Sequence, residues 1–244
     1  AQLRGFHQVT SEAVAGMAAR NGGQRRINFM MGAPGAGKGT QAERLAEELG
    51  LPHVSTGELF RSMHKSDSEL GQKDRGYVES GGLVPDEFVV AMVEDRLAEA
   101  DAVEGVILDG FPRTVAQARA LDKMLEQAGT AVSAVPYIEV PQDLLLARLT
   151  GRRICTKDDQ HVYHVVAMPP SKDGICDVDG AELYQRKDDS EETVRDRLDK
   201  QLPPMFEVVD YYAQNKVLFS VRGDQSPEEV TAELLRVVAI KDAA

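Results

Sequence analysis

The sequence predicts an α/β protein: a doubly wound parallel sheet of five strands, helices on both faces, and one small β-rich insert. Three observations carry this expectation. Short apolar runs alternate with amphipathic stretches from residue 27 onward, those stretches open on capping signals, and one segment breaks the alternation.

Residues 27–31, 53–55, 105–108, 135–140 and 217–221 read as buried parallel strands, apolar on both sides and too short for helices. Between them, Ser55 with Glu58, Thr114 with Gln117, Asp189 with Glu192 and Ser226 with Glu229 have the spacing of capping boxes. Pro227 follows Ser226 at the first helical position, where a missing N–H is harmless. Over 86–100, Val89, Met92, Val93 and Leu97 fall on one helical face, as expected of a helix packed on a sheet. From 151 to 187 no helical stripe appears, Gly, Pro, Asp and Lys are frequent, and both cysteines of the chain occur. A structureless loop of that length is unusual in a compact domain, so a small β subdomain or lid is expected there. The predicted organisation is an N-terminal extension (1–26) and one domain (27–244). Its core comprises 27–55, 105–150 and 188–244, with a helical segment at 56–84 and the insert at 151–187.

The chain has 244 residues, 42% of them hydrophobic, enough for one sizeable core. Its net charge of −12 argues against nucleic-acid binding, which rests on cationic contacts to phosphates. It leaves room for a nucleotide site, because a few arginines can converge locally on an acidic protein. No apolar run approaches the roughly 20 residues that cross a bilayer, so no membrane partner is expected. Two cysteines are too few for a disulfide-stapled secreted domain, which points to a reducing, cytoplasmic setting. Residues 1–26 carry Arg4, Arg20, Arg25 and Arg26 against the single acid Glu12, with Val9, Ala13, Val14 and Met17 at helical spacing. They read as an unstructured tail or as an organelle transit segment.

The strongest signal is GAPGAGKGT, residues 32–40, between an apolar strand and a helix. Gly32, Gly35, Gly37 and Gly39 let backbone N–H groups curl around phosphate oxygens, with Ala36 and Thr40 completing the loop. The positive end of the following helix adds to the attraction, and Lys38 offers a point charge to the outer phosphates. The generic motif has Ser or Thr directly after the lysine to ligate Mg²⁺, whereas here Gly39 intervenes. That weakens a switch-GTPase reading and suggests Mg²⁺ held by phosphates, water and carboxylates. Asp109, at the end of a strand beside the loop, is the carboxylate expected to orient it.

The loop resembles that of adenylate kinases, and LDGFPRT (108–114) resembles the nucleoside-monophosphate kinase signature. The resemblance covers about residues 27–240 and implies phosphoryl transfer between ATP and AMP, giving ADP, by a monomer. It implies that the 56–84 segment binds AMP: Thr56 near the adenine, Arg61 on the phosphate, and Gly82, Leu83 and Val84 bordering the base. Gly110, Phe111, Pro112 and Arg113 would hold the acceptor phosphate, and Gln117 would read the base, although it is also the last residue of the Thr114 capping box. TGRR (150–153) is similar to the family's lid entrance, with Arg152 on the donor phosphates and Arg148 stacking on the donor adenine. Val162 and Tyr163 would touch the donor, and Gln225 the adenine edge. Arg186 and Arg197 would face the acceptor and the transferring phosphates, and Asp188 and Asp189 would support the magnesium region, Asp189 doubling as a helix cap. Arg195 reads as either a surface ion pair or part of the cluster. Such chemistry needs charge neutralisation and alignment, not a general base, and each charge-assisted bond contributes about 1.5–3 kcal/mol.

The long insert resembles long-form adenylate kinases, many of which carry a structural Zn²⁺ on two cysteine pairs. Only part of that set is present. Cys155, Cys176, Asp179 and His161 would complete a tetrahedral site, with Asp158 as the alternative to His161; a hydrogen-bonded cluster or a disulfide is the metal-free alternative. Two further readings remain open at this stage: a GTP–AMP phosphotransferase or other nucleoside-monophosphate kinase, and a P-loop binding module without turnover.

Overall fold

The computed structural model describes the backbone of residues 25–65 and 85–242 and the side chains of 25–60 and 85–238. The expectations for the first 24 residues, the Arg61 side chain, Gly82, Leu83 and Val84 lie outside the described residues. In chain order the elements are β1 (Arg26–Gly32), α1 (Lys38–Leu49), β2 (His53–Ser55), α2 (Thr56–Lys65), α3 (Asp86–Leu97), β3 (Gly105–Asp109), α4 (Val115–Gln127), β4 (Val132–Glu139) and α5 (Gln142–Thr150). They continue with β5 (Arg152–Cys155), β6 (Val162–His164), β7 (Leu183–Tyr184), α6 (Glu191–Gln214), β8 (Leu218–Arg222) and α7 (Pro227–Asp242).

The main sheet has the order β2-β3-β1-β4-β8, and every pairing in it is parallel. β1 lies at its centre, and Ile27, Phe29, Met30 and Met31 are almost entirely buried, which is why the strand is apolar on both faces. On one side α1 and α7 are joined by Gln41 Nε2 donating to Pro227 O (2.9 Å) and Thr231 donating to Gln41 Oε1 (2.8 Å). On the other, Tyr211 and Tyr212 of α6 donate to Asp122 of α4 at 2.8 and 3.0 Å. Tyr212 also meets Phe29 of β1 edge-on at 4.8 Å. The chain reverses direction about β1, so the C-terminal ends of β1 and β3 open a crevice at the switch point.

Three of the four expected caps form, and for Ser226 and Glu229 the bond is reciprocal. Ser226 and Glu229 satisfy each other's amides at 3.0 and 3.3 Å, Thr114 accepts from the Gln117 amide at 3.1 Å, and Ser55 from that of Glu58 at 3.4 Å. The fourth is displaced by one residue: α6 is capped by Ser190, which accepts from Thr193 N, while Asp189 is fully buried and bound to an arginine. The first strand also begins one residue earlier than expected. Arg26 opens β1, and buried Arg25 donates to Ala102 O (2.9 Å) and to Leu97 O, giving the end of α3 the donor its terminal carbonyls need. Two of the four arginines counted toward a basic leader therefore belong to the core.

The insert holds a separate antiparallel sheet, β6-β5-β7, with Arg153 opposite Tyr163 and Cys155 opposite Leu183. Cys155, Tyr163 and Cys176 form its own small core against Ala181 and Leu183. Among the described residues no helix is long and apolar enough to cross a membrane.

Candidate active site

The loop after β1 needs its glycines for two different reasons. Gly35 and Gly37 have φ of 83° and 91°, and a Cβ on Gly35 would come within 2.8 Å of Leu149 Cγ. Gly37 caps α1 without a side-chain acceptor, a helix start suited to an anion. Lys38 curls back to donate to Gly32 O (2.8 Å) and Ala33 O (3.0 Å). A Cβ on Gly39 would lie 3.5 Å from Asp109 Oδ2, so the carboxylate of β3 borders the position where the generic motif carries a hydroxyl. Asp109 also faces His53 Nε2 at 4.0 Å. A carboxylate oxygen beside the phosphate loop is a donor of the type Mg²⁺ takes.

Around Lys38 the arginines converge. Burial pushes its pKa down to about 8, Asp109 opposes that shift, and Arg113, Arg197 and Arg152 add to it. Burial likewise lowers Arg113, with Asp109 opposing and Arg197 adding. The anions of this cluster hold the cations in place. Asp189 accepts a fork from Arg152 (2.8 and 2.6 Å) and lies 3.7 Å from Arg197. Asp188 accepts a fork from Arg186 (2.9 and 3.1 Å) and a bond from Arg197 (2.8 Å). Burial would raise the Asp188 pKa, but Arg186 and Arg197 outweigh it and the net direction is down. Both aspartates expected in the magnesium region are therefore engaged with arginines. Arg195 pairs instead with Glu191 on the exposed face of α6 (2.8 Å), the surface reading of that residue.

Where the acceptor is expected, Thr56 and Arg113 close on Gly110, where φ is 79° and a Cβ would meet Thr56 Oγ1 at 2.8 Å and Arg113 Nη2 at 3.2 Å. The Thr56 hydroxyl is buried and donates to Gly110 O (3.0 Å). Phe111 is buried, and Arg113 Nε donates to Gly110 O (2.7 Å). Gln117 has both ends of its amide occupied: Oε1 accepts from Arg113 N (2.8 Å) and Nε2 donates to Asp86 Oδ1 (2.7 Å). Its positioning of the Arg113 turn is what the geometry displays. Asp86, which also accepts from Thr114 (2.9 Å), was not singled out in the sequence, where it shows only as an acid in a helix's first turn.

Where the donor base is expected, Arg148 Nη2 donates to Gly223 O (2.8 Å), which brings the end of α5 to the turn after β8 that carries Gln225. Gln225 Nε2 donates to Arg222 O and Glu233 Oε2, both at 3.1 Å. Val162 is half-buried on β6. Tyr163, expected at the donor, has its ring buried in the insert, and its hydroxyl meets Asp177 N (2.7 Å) and Cys176 Sγ (3.5 Å), so its polar end faces the cysteine cluster.

That cluster comprises Cys155, His161, Cys176 and Asp179, whose ligand atoms all lie within 4.8 Å of one another. Asp179 is 3.2 Å from both Cys155 Sγ and His161 Nδ1, and His161 Nδ1 is 3.5 Å from Cys176 Sγ. Bonds of about 2.0–2.3 Å in a tetrahedron put donors about 3.3–3.8 Å apart; these three separations are close to that range, and two thiols, an imidazole and a carboxylate are donors zinc takes. Backbone hydrogen bonding to the Asp179 carboxylate holds its pKa down at about 2. Burial pushes the Cys176 thiol up, but donation from Tyr163 and from the Val178 and Asp179 amides outweighs it, and the net direction is down. Between the two alternatives for the fourth position the geometry favours His161. Asp158 sits behind it, 3.7 Å from Nε2.

A family model for adenylate kinase matches residues 30–217. This chain belongs to the adenylate kinase family. It is 48% identical over 215 residues to an adenylate kinase of Streptomyces avermitilis, covering 88% of this chain and 98% of the relative. The adenylate kinase of Caldicellulosiruptor bescii is 47% identical over 213 residues, 87% and 99% of the two chains. That of Bacillus subtilis is 48% identical over 205 residues, 84% and 94%. The match is to an enzyme family, and it favours neither the guanosine-donor alternative nor a P-loop module without turnover.

Proposed function

We propose that the chain catalyses reversible transfer of the terminal phosphoryl group of magnesium-bound ATP to AMP, yielding two ADP. The observation that carries this reading is the gathering of Arg113, Arg152, Arg197 and Asp109 about Lys38, beside a helix start built to receive an anion. Donor phosphates rest on the amides of residues 35–40 and on Lys38, with Arg148, Val162 and Gln225 bordering the adenine. The acceptor phosphate meets Arg61, Arg113, Arg186 and Arg197, while Thr56, residues 82–84 and Gln117 shape the pocket for its base. The nucleophile is already a phosphate oxygen, so the protein needs no general base; it aligns the two nucleotides and neutralises charge on the moving group. Asp109 would hold magnesium through water, and the ion supplies charge neutralisation at the donor phosphates. The 151–187 segment acts as a lid that excludes water, the competing acceptor. Cys155, His161, Cys176 and Asp179 would hold a structural zinc that stands in for a larger hydrophobic core in the lid.

A coupled assay that varies donor and acceptor bases tests the reading. ADP formation from ATP and AMP is expected, reduced at least about a hundredfold by Lys38→Ala. Faster turnover with GTP than with ATP would overturn the donor assignment, and no transfer by the unaltered protein would overturn the reading itself. Elemental analysis is expected to find about one zinc per chain, the stoichiometry of a single four-ligand site.

A further inference from the structure

We propose that Tyr163 is an outer-shell residue of the Cys155–His161–Cys176–Asp179 cluster and, through its neighbour His164, couples metal loading to the attachment of the 151–187 segment. This rests on the zinc reading above. A buried tyrosine must satisfy its hydroxyl, and Tyr163 does so twice. Its oxygen accepts from Asp177 N at 2.7 Å and also pairs with Cys176 Sγ, 3.5 Å away, a sulfur that can only accept once it is a metal-bound thiolate. A metal-bound thiolate is a better acceptor than a thiol, so loading tightens this bond and fixes the ring.

β6 then carries the constraint to its other face, because successive side chains on a strand point oppositely. His164 Nδ1 accepts from Val166 N (3.1 Å) and Ala167 N (2.9 Å), which leaves the ring proton on Nε2. Nε2 donates to Ala147 O (3.1 Å) in the last turn of α5, which belongs to the core. Gly151 lacks the Cβ that would collide with this ring, and its carbonyl accepts from Val165 N (3.0 Å). Two adjacent residues thus meet the metal cluster on one side and the last turn of α5 on the other.

The test uses the full chain, zinc, and a chromogenic chelator as competitor. Unaltered protein is expected to bind one equivalent, and Tyr163→Phe to bind it about 10–100-fold more weakly. With Co²⁺ in place of zinc, the absorption bands should shift in the variant. Hydrogen exchange at the Val165, Val166 and Ala167 amides should slow when zinc is added to the unaltered protein. Equal zinc affinity in both proteins overturns the Tyr163 assignment while leaving the zinc reading intact; no zinc in the unaltered protein overturns both. Unchanged exchange on loading removes the coupling, and that arm decides it even if the variant does not fold.

Discussion

Asn28 is the sharpest local conflict in the core. It sits in the middle of the central strand, paired with Ile107 on one side and Ala134 on the other, and is wholly buried. Neither Nδ2 nor Oδ1 of its side chain has a hydrogen-bond partner. An unsatisfied buried group costs about 1–3 kcal/mol, and this amide contains a donor and an acceptor. Asn28→Val removes both, adds little volume, and gives the strand a β-branched residue it accommodates well. Allowing about 1 kcal/mol for imperfect packing, the net gain should be about 2 kcal/mol. At about 2–4 °C per kcal/mol for a chain of this size, the midpoint should rise by about 4–8 °C. Calorimetry and urea titration measure it. Turnover should be unaltered, since the phosphate loop begins four residues on and backbone pairing does not involve the side chain. A variant no more stable than its parent would refute the reasoning and indicate an internal water that satisfies the amide.

Four predictions concern the site. Lys38 titrates near 8, so kcat/KM for ATP should fall as pH rises through about 8, because only the ammonium attracts phosphate; a profile flat to pH 10 contradicts this. The linkage has the opposite sign for stability. A lysine depressed below its ordinary 10.5 weakens the fold below pH 8, and that penalty fades between 8 and 10.5, so the stability difference between Lys38→Met and its parent should change over that window. Arg113→Lys keeps charge but loses the guanidinium fork, so KM for AMP should rise and kcat fall with the melting temperature unchanged; unaltered kinetics would remove Arg113 from the acceptor site. Asp189→Asn leaves Arg152 without its buried counter-charge and should cost about 3–5 kcal/mol of stability, together with a fall in kcat.

The parallel strands and the loop were legible because they rest on local pattern: apolar runs buried on both faces, glycines at fixed spacing, and caps three residues before their partners. What was not legible was decided by distant residues. Asp189 and Ser190 are both good caps at workable spacing, and Arg152, 37 positions away, drew Asp189 into the interior and left the cap to Ser190. Arg25 resembles its basic neighbours until α3, 72 positions on, presents Leu97 O. Alternation along β6 separates Tyr163 from Val162 and His164, but only the folded insert reveals that the cysteines lie on the tyrosine's side.

The internal pairing of the arginines bears on how the cleft receives phosphate. Arg152 and Arg186 each use Nε and Nη2 on an aspartate, Arg197 uses Nη1, and Arg113 uses Nε on a carbonyl. Each guanidinium therefore keeps at least one terminal nitrogen outside these bonds, and the two-nitrogen forks fix the planes of Arg152 and Arg186. A guanidinium has five donors in a rigid fork, so fixing one edge aims the other. Asp188 and Asp189 thus do more than offset repulsion among crowded cations. They turn flexible side chains into oriented donors before any nucleotide arrives, so less reorganisation is left for the transfer step, where electrostatic preorganisation has its largest effect. The same logic separates them from Asp109, which borders the phosphate loop where the metal-bound donor would lie, and explains why three carboxylates can sit in an anion-binding cleft without defeating it.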